Sequence, residues 1–280
     1  MSALGGGASV GGGGGPGAGG EAASGGGEAS GGGASGGGTG GGGISLGGPS
    51  GCENSALTLC DGFEGESINS SLWSVGKSSQ NTVELVADQA ARGAKSVHIH
   101  TQDGFGYLKN ESFFPAPMNN YFGRMFVRVA RFSTVDWAHW TLAEAAGTGD
   151  GSVIRVGGQY KTDASKNRWG IGSDSGPTGD WTNHDEDPNG NPSEPPTNTW
   201  VCLEWEHRGS ENVTRFFVDD VEHPSLATTV SNHGGSSVDY ILPQMTSVWF
   251  GFWQYQADSE GFDVWIDEVA LNSERIGCTR

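Results

Sequence analysis

The sequence predicts an all-β fold of two packed antiparallel sheets, a sandwich or jelly roll, behind a disordered glycine-rich segment. Helical periodicity is scarce in residues 52–280, whereas period-two alternation of β-branched and aromatic residues recurs throughout. Those stretches are divided by Gly, Pro, Asn and Asp, so many short strands share one domain and two stacked sheets are the economical way to bury them. Residues 1–51 are different: they hold 27 of the 50 glycines, no Lys or Arg, no aromatic residue and only two acids, Glu21 and Glu28. Such a segment cannot bury enough apolar surface to offset the entropy of ordering it, so it reads as a linker or stalk. The domain then occupies 52–280, which contains every Trp, Phe, Tyr and Cys.

Along the domain, strands are predicted over 81–87, where Val83 and Leu85 alternate with Glu84, and over 95–101, where Val97 and Ile99 alternate with histidines. Next come 105–109, 123–132 (Met125, Val127 and Val129 against Arg124 and Arg128), 137–145 and 152–160 (Ile154 and Val156 against Arg155). The remaining strands are 167–172, 199–208 (Leu203 and Trp205 against Glu204 and Glu206), 212–220, 246–256 and 262–272. Gly147-Thr148-Gly149-Asp150-Gly151 and Asp219-Asp220 are turn sequences. Residues 173–198, rich in Pro, Gly, Asn and Asp, form a long loop of the kind that often carries function.

The charge excludes several functions. The net charge is −18, with only the two acids of the tail outside the domain, and no cluster of five Lys or Arg occurs. That surface repels nucleic acid and anionic membranes. No apolar run approaches the ~20 residues of a spanning helix, so no membrane span is expected. Residues 1–20 lack the basic and apolar regions of a secretion signal. Four cysteines, Cys52, Cys60, Cys202 and Cys278, have no metal-type spacing and allow three pairings. Two disulfides imply an oxidising compartment, and the stalk suggests a secreted or surface-anchored protein; the competing reading is a cytoplasmic protein with four buried thiols. There is no phosphate-binding glycine loop in a strand–helix context and no G-x-S-x-G elbow.

Several segments together carry a family resemblance. Asp61-Gly62-Phe63-Glu64 with Trp73 matches the opening of concanavalin-like jelly rolls. It is followed by Gly93 to Val97, Val127-Arg128-Val129, His139-Trp140-Thr141 and Ile154-Arg155-Val156-Gly157-Gly158-Gln159. Cys202-Leu203-Glu204-Trp205, Phe250-Gly251-Phe252, Tyr255, Val264 to Glu268 and Ile276-Gly277-Cys278 complete the series. The ordered set resembles the secreted, cellulose-induced protein family of cellulolytic fungi and its bacterial relatives, and more distantly the glucuronan lyases. The resemblance covers essentially all of 52–280. It implies a concanavalin-like β-jelly roll with a concave cleft, a structural calcium, a polysaccharide ligand and β-elimination of uronic-acid polysaccharides. A monomer is expected.

The residues themselves suit that chemistry. Arg155, Gly157 and Gln159 share a strand face, with a glycine that leaves room for a ligand, and an Arg beside a Gln suits a planar carboxylate. Elimination needs the uronate carboxylate neutralised, a base for the C5 proton and an acid for the departing O4. By the resemblance, Gln159, with Arg155, binds the carboxylate, and His139 and Tyr255 share the proton transfers, Tyr255 leading. Arg128, Glu204 and Trp253 are candidates for substrate binding. Arg155 could instead pair with Glu204 or Glu144. The loop Asp180 to Asp187 is strongly acidic, which disfavours a polyuronate and fits a neutral glycan better.

Other classes compete. Glu204 and Glu206 share a strand face ~6.5–7 Å apart, near glycosidase separations, but the E-x-D-x-x-E signature of laminarinase-type jelly rolls is absent. Trp181, Trp200, Trp249 and Trp253 could stack on pyranose rings, making a non-catalytic carbohydrate-binding module the alternative function. A surface adhesive is the third. The resemblance places calcium on Glu64, Asp61 and Asp267 with the backbone of residues 92–95, although Lys95 stands where the family offers a ligand. It also implies the bridge Cys202–Cys278, tying the chain ends together and leaving Cys52 with Cys60.

Overall fold

A computed structural model describes residues 46–53, 55–148, 153–174, 182–187, 189–190, 193–234 and 239–278. The tail 1–45, the turn residues Gly149 to Gly151, and Asp180 and Trp181 lie outside the described residues. The strands are β1 (Leu59–Asp61), β2 (Ser74–Lys77), β3 (Thr82–Val86), β4 (Ser96–Thr101), β5 (Gly104–Asn110), β6 (Asn120–Val129), β7 (His139–Thr148) and β8 (Val153–Lys161). They continue as β9 (Lys166–Asp174), β10 (Asn183–His184), β11 (Val201–Arg208), β12 (Val213–Val218), β13 (Val221–Glu222), β14 (Gln244–Gln254) and β15 (Phe262–Asn272). The long alternating segments therefore form the strands the sequence predicts. Four strands that it does not signal, β1, β2, β10 and β13, are two to four residues long, too short for a period to show.

Two antiparallel sheets result. One runs β13-β12-β11-β6-β15-β4-β3, with β1 also paired to β15; the other runs β10-β9-β8-β7-β14-β5-β2. Their facing sides form a single core. The first sheet contributes Val97, Ile99, Met125, Val127, Leu203, Trp205, Val264 and Ile266. The second contributes Trp140, Leu142, Ile154, Val156, Trp169, Ile171, Phe250 and Phe252. These are the apolar members of each alternation, so the polar members face away from the core. At the β12–β13 connection Asp219 and Asp220 have φ of 48° and 69°, the left-handed pair that a two-residue hairpin needs.

The domain starts earlier than position 52. Leu46 N–H donates to Ala91 O, Gly93 N–H donates to Gly48 O, and Gly51 N–H donates to Glu268. Residues 46–51 thus lie along the 91–93 turn, held by backbone pairs that composition does not signal. The disulfides are Cys52–Cys60 and Cys202–Cys278. The second ties the C-terminal segment to β11 and not to the other chain end; β1 pairing with β15 does that instead.

Candidate active site on the open face of the second sheet

Register brings the polar members of β7, β8 and β9 side by side. His139 lies opposite Gln159, which lies opposite Arg168; Thr141 lies opposite Gly157; Glu144 lies opposite Arg155. A register shift between Thr141 and Ala143 puts both Leu142 and Ala143 into the core, so Glu144 returns to the open face. Bulges of this kind re-aim side chains beside functional sites. Gly157 proves to be a packing glycine: a Cβ there would collide with Trp140 O and fall 2.8 Å from Thr141 Cα. The close approach of β7, and not room for a ligand, requires it.

The hydrogen bonds order the site. Arg168 Nη2 donates to Gln159 Oε1 at 2.6 Å, which leaves Gln159 Nε2 to donate to His139 Nε2 at 2.5 Å. His139 N–H donates to Gln256 Oε1 at 2.6 Å, and Tyr255 N–H donates to His139 O at 3.1 Å. Burial, reinforced by Arg155 and Arg168, pushes the His139 imidazole down to about 4, so it is neutral at pH 7. Thr141 Oγ1 donates to the Tyr255 hydroxyl at 3.4 Å. Burial pushes the Tyr255 phenol up, opposed by the positive charge of Arg155, so it keeps its proton at pH 7.

Arg155 is placed differently from the expectation. It is 2% exposed, its Nη2 donates to Ser173 O at 3.1 Å, and its guanidinium lies 5.0 Å from the Tyr255 ring centroid. It is a charge beneath the phenol, not an open fork for a carboxylate. Glu144, its register partner, accepts from Trp249 Nε1 at 3.1 Å, and burial pushes its carboxyl up.

Other neighbours were not legible as site residues. His184 of β10 pairs opposite Gly170, and burial, with Arg168, His139 and Lys161, pushes it down to about 3. Glu186, from the predicted long loop, forms ion pairs with Arg168 and with Lys161, the latter at 3.2 Å. Asp185 accepts from His223 Nδ1 at 2.7 Å and from Ser225 Oγ. Of this acidic loop Glu186 is thus paired with two cations, and Asp185 is held by hydrogen bonds. Arg168 carried a usable signal: in Arg168-Trp169-Gly170-Ile171-Gly172 the apolar members point inward, so Arg168 must share the open face.

Aromatic residues continue this face across β14 and β5. Trp253 and Tyr255 stack at 4.9 Å and 10°, Tyr107 and Trp249 at 5.1 Å and 22°, and Phe105 and Tyr107 at 5.2 Å and 22°. Their faces cover one another, which is not the coplanar platform of a sugar-binding surface. Trp253 lies on this face, stacked on Tyr255; Trp200 packs with Phe126 and Cys202 on the first sheet.

Two substrate-binding candidates lie on the other sheet. Arg128, on β6 of the first sheet, lies 4.9 Å from the Trp265 ring centroid and donates to Asn198 Oδ1. Glu204, fully buried on β11, accepts from Ile276 N–H at 2.6 Å, Gly277 N–H at 3.0 Å and Arg275 Nε at 3.0 Å. It clamps the C-terminal segment. Glu206 is bound to Arg208 at 2.7 Å, so the two carboxylates form no open glycosidase pair.

The calcium candidates are held by N–H donors. Asp61 accepts from Phe63 N–H at 2.8 Å through one oxygen and from Trp73 Nε1 at 2.7 Å through the other. Asp267 accepts from Ala91, Arg92 and Glu268 N–H groups, and Glu64 from Ala94 and Lys95. Lys95 Nζ donates to Gly65 O at 2.6 Å, putting an ammonium on the carbonyls of that turn. A carboxylate offers about four acceptor sites, so these donors compete with a calcium for the same groups without filling them. Among the described residues no group of three or more His, Cys, Asp or Glu is positioned to hold a metal.

Together the two sheets form a jelly roll. Residues 62–274 match the Cip1-like core domain of the polysaccharide-lyase-like proteins, and the chain belongs to this family. The structure is similar to that of the cellulose-induced protein Cip1, with a TM-score of 0.58 and 21% identity over 79% of this chain and 99% of that one. A weaker likeness is to an endo-β-1,4-glucuronan lyase from the fungus Trichoderma reesei, with a TM-score of 0.49 and 11% identity over 78% of this chain and 96% of that one. The alginate lyase AlyC3, in complex with dimannuronate, follows at a TM-score of 0.44 and 10% identity, over 63% and 74%. No curated protein matches the sequence. The two disulfides fit an oxidising compartment, and no helix among the described residues is long and apolar enough to cross a membrane.

Proposed function

We propose that this protein is an exported enzyme that cleaves a uronate-containing glycan by β-elimination on the open face of the second sheet. The observation that carries this reading is a histidine and a tyrosine joined by backbone: Tyr255 N–H donates to His139 O, while Gln159 reaches the imidazole. In the proposed reaction the uronate carboxylate docks at Gln159 and Arg168, displacing Glu186 from the guanidinium. Gln159 Nε2 then donates to the carboxylate and frees the His139 Nε2 lone pair. That nitrogen takes the C5 proton, the C4–O4 bond breaks as the C4=C5 double bond forms, and Tyr255 gives its proton to O4. Arg155, beneath the phenol, stabilises charge on its oxygen. No water is consumed.

The test is ultraviolet absorbance of the unsaturated product while the full chain meets glucuronan, alginate, pectate and xylan. A rise that disappears in Tyr255→Phe and Gln159→Ala supports elimination through this cleft. A flat trace on every polyuronate, with retention on an insoluble glycan, would replace it by the binding-module reading.

A further inference from the structure

Trp137 is exposed to 44%, and it is the one aromatic residue among the exposed large hydrophobic side chains of the described residues. It stands two residues before His139, whose imidazole Gln159 reaches. Its φ of 52° puts a bulky side chain in the left-handed region, where glycine would be at ease and tryptophan is strained. The surroundings hold it there. Trp137 N–H donates to Thr162 Oγ1 at 3.0 Å, Ala138 N–H donates to Val135 O, and Tyr160 N–H donates to Ala138 O at 2.9 Å. The turn is therefore pinned to the end of β8, beside Gln159. The Arg168 guanidinium lies 6.0 Å from the indole centroid, and the same guanidinium holds Gln159 Oε1.

Core packing does not account for this residue, because the ring is outside both buried clusters. Nor, among the described residues, is its face covered by a neighbouring ring, as those of Trp253 and Tyr107 are. An exposed indole on a strained, pinned backbone is unfavourable for the free protein on both counts, and contact with a ligand would recover part of that. We propose that Trp137 is a sugar-stacking residue, receiving the apolar C–H face of the pyranose next to the one held at His139 and Gln159. Arg168, shared between the indole and Gln159, sets the two subsites side by side. This inference rests on the cleft being the glycan site, but not on the elimination step.

Calorimetric titration of the full chain with a β-1,4-linked hexaglucuronate and with cellohexaose tests it, using the Tyr255→Phe background to prevent turnover. Trp137→Gly is expected to weaken binding at least about fivefold, as loss of a stacking contact does, while Trp137→Phe keeps part of the affinity. Because glycine relaxes the left-handed backbone, thermal stability should hold or rise, a combination that a merely structural tryptophan would not give. Unchanged affinity in Trp137→Gly, with binding lost in Gln159→Ala, overturns the assignment and leaves the cleft standing. If neither oligosaccharide binds the Tyr255→Phe protein or its parent, the cleft reading falls and Trp137 falls with it.

Discussion

Glu186→Gln probes whether the cleft is built for a carboxylate. In the free protein Glu186 pairs with Arg168, which holds Gln159 Oε1, and with Lys161, the latter at 3.2 Å. A substrate uronate needs the same guanidinium, so the internal carboxylate competes with it. The Glu186 side chain is 23% exposed and that of Lys161 17%, so the pair is only partly screened. At an effective dielectric of about 20 a unit pair at this distance interacts by about 5 kcal/mol. Desolvation and side-chain ordering consume most of that, leaving about 1–2 kcal/mol as the net competition. Neutralising Glu186 should therefore tighten uronate binding by about 5–30-fold, with a much smaller effect on a neutral oligosaccharide. The assay is a binding titration with hexaglucuronate in the Tyr255→Phe background, repeated at low and high salt. The wild-type residue should show the weaker affinity, and the gap should narrow as salt rises. Equal or weaker uronate binding in Glu186→Gln would refute the placement of the carboxylate at Arg168.

Three further outcomes follow from the same geometry. The reactive form of His139 is neutral and its folded value is about 4, below the usual 6.5, so kcat/KM should hold down to mildly acidic pH and fall as pH drops through about 4; the alkaline limb should lie above the ordinary tyrosine range, because burial raises Tyr255. An acid limb near 6.5 in a pH–rate profile would contradict that environment. Because backbone N–H groups already hold Asp267 and Glu64, and Lys95 Nζ donates to Gly65 O beside them, EDTA and added calcium should leave Tm unchanged, whereas Lys95→Ala should lower it; a calcium-dependent rise of several degrees would show that the ion displaces these donors. Glu204→Ala should strip two backbone N–H groups and Arg275 of their acceptor, costing about 2–3 kcal/mol and lowering Tm by roughly 5–10 °C in a thermal melt, while glycan affinity stays unchanged.

Much of the site is legible in the sequence. The alternation in Ile154-Arg155-Val156 puts Arg155 on the open face whatever its neighbours are, and Gln159 follows at the same parity. The role of Arg155 is not legible there, since its burial under Tyr255 depends on Ser173 and on the residue that follows β14, both distant in the chain. Arg128 and Glu204 show the same limit from the other side. Each lies on a correctly read strand with its side chain turned away from the core, but that strand belongs to the first sheet. Period two tells which side of a strand faces out; it does not tell which sheet the strand joins.

The sequence by itself therefore determined the all-β class, the course of the long strands, the inward and outward residues of each and the acidic, aromatic-rich character of the domain. Those are local properties, decided by side-chain alternation and turn chemistry within a few residues. Only the tertiary structure decided that His139, Gln159 and Arg168 stand in one row, that Glu186 comes back from its loop onto that row, and that Lys95 lies on the carbonyl of Gly65. Each of these depends on strand order, register and loop closure across distant segments. These are set by the packing of the whole core, and no short window of sequence contains them.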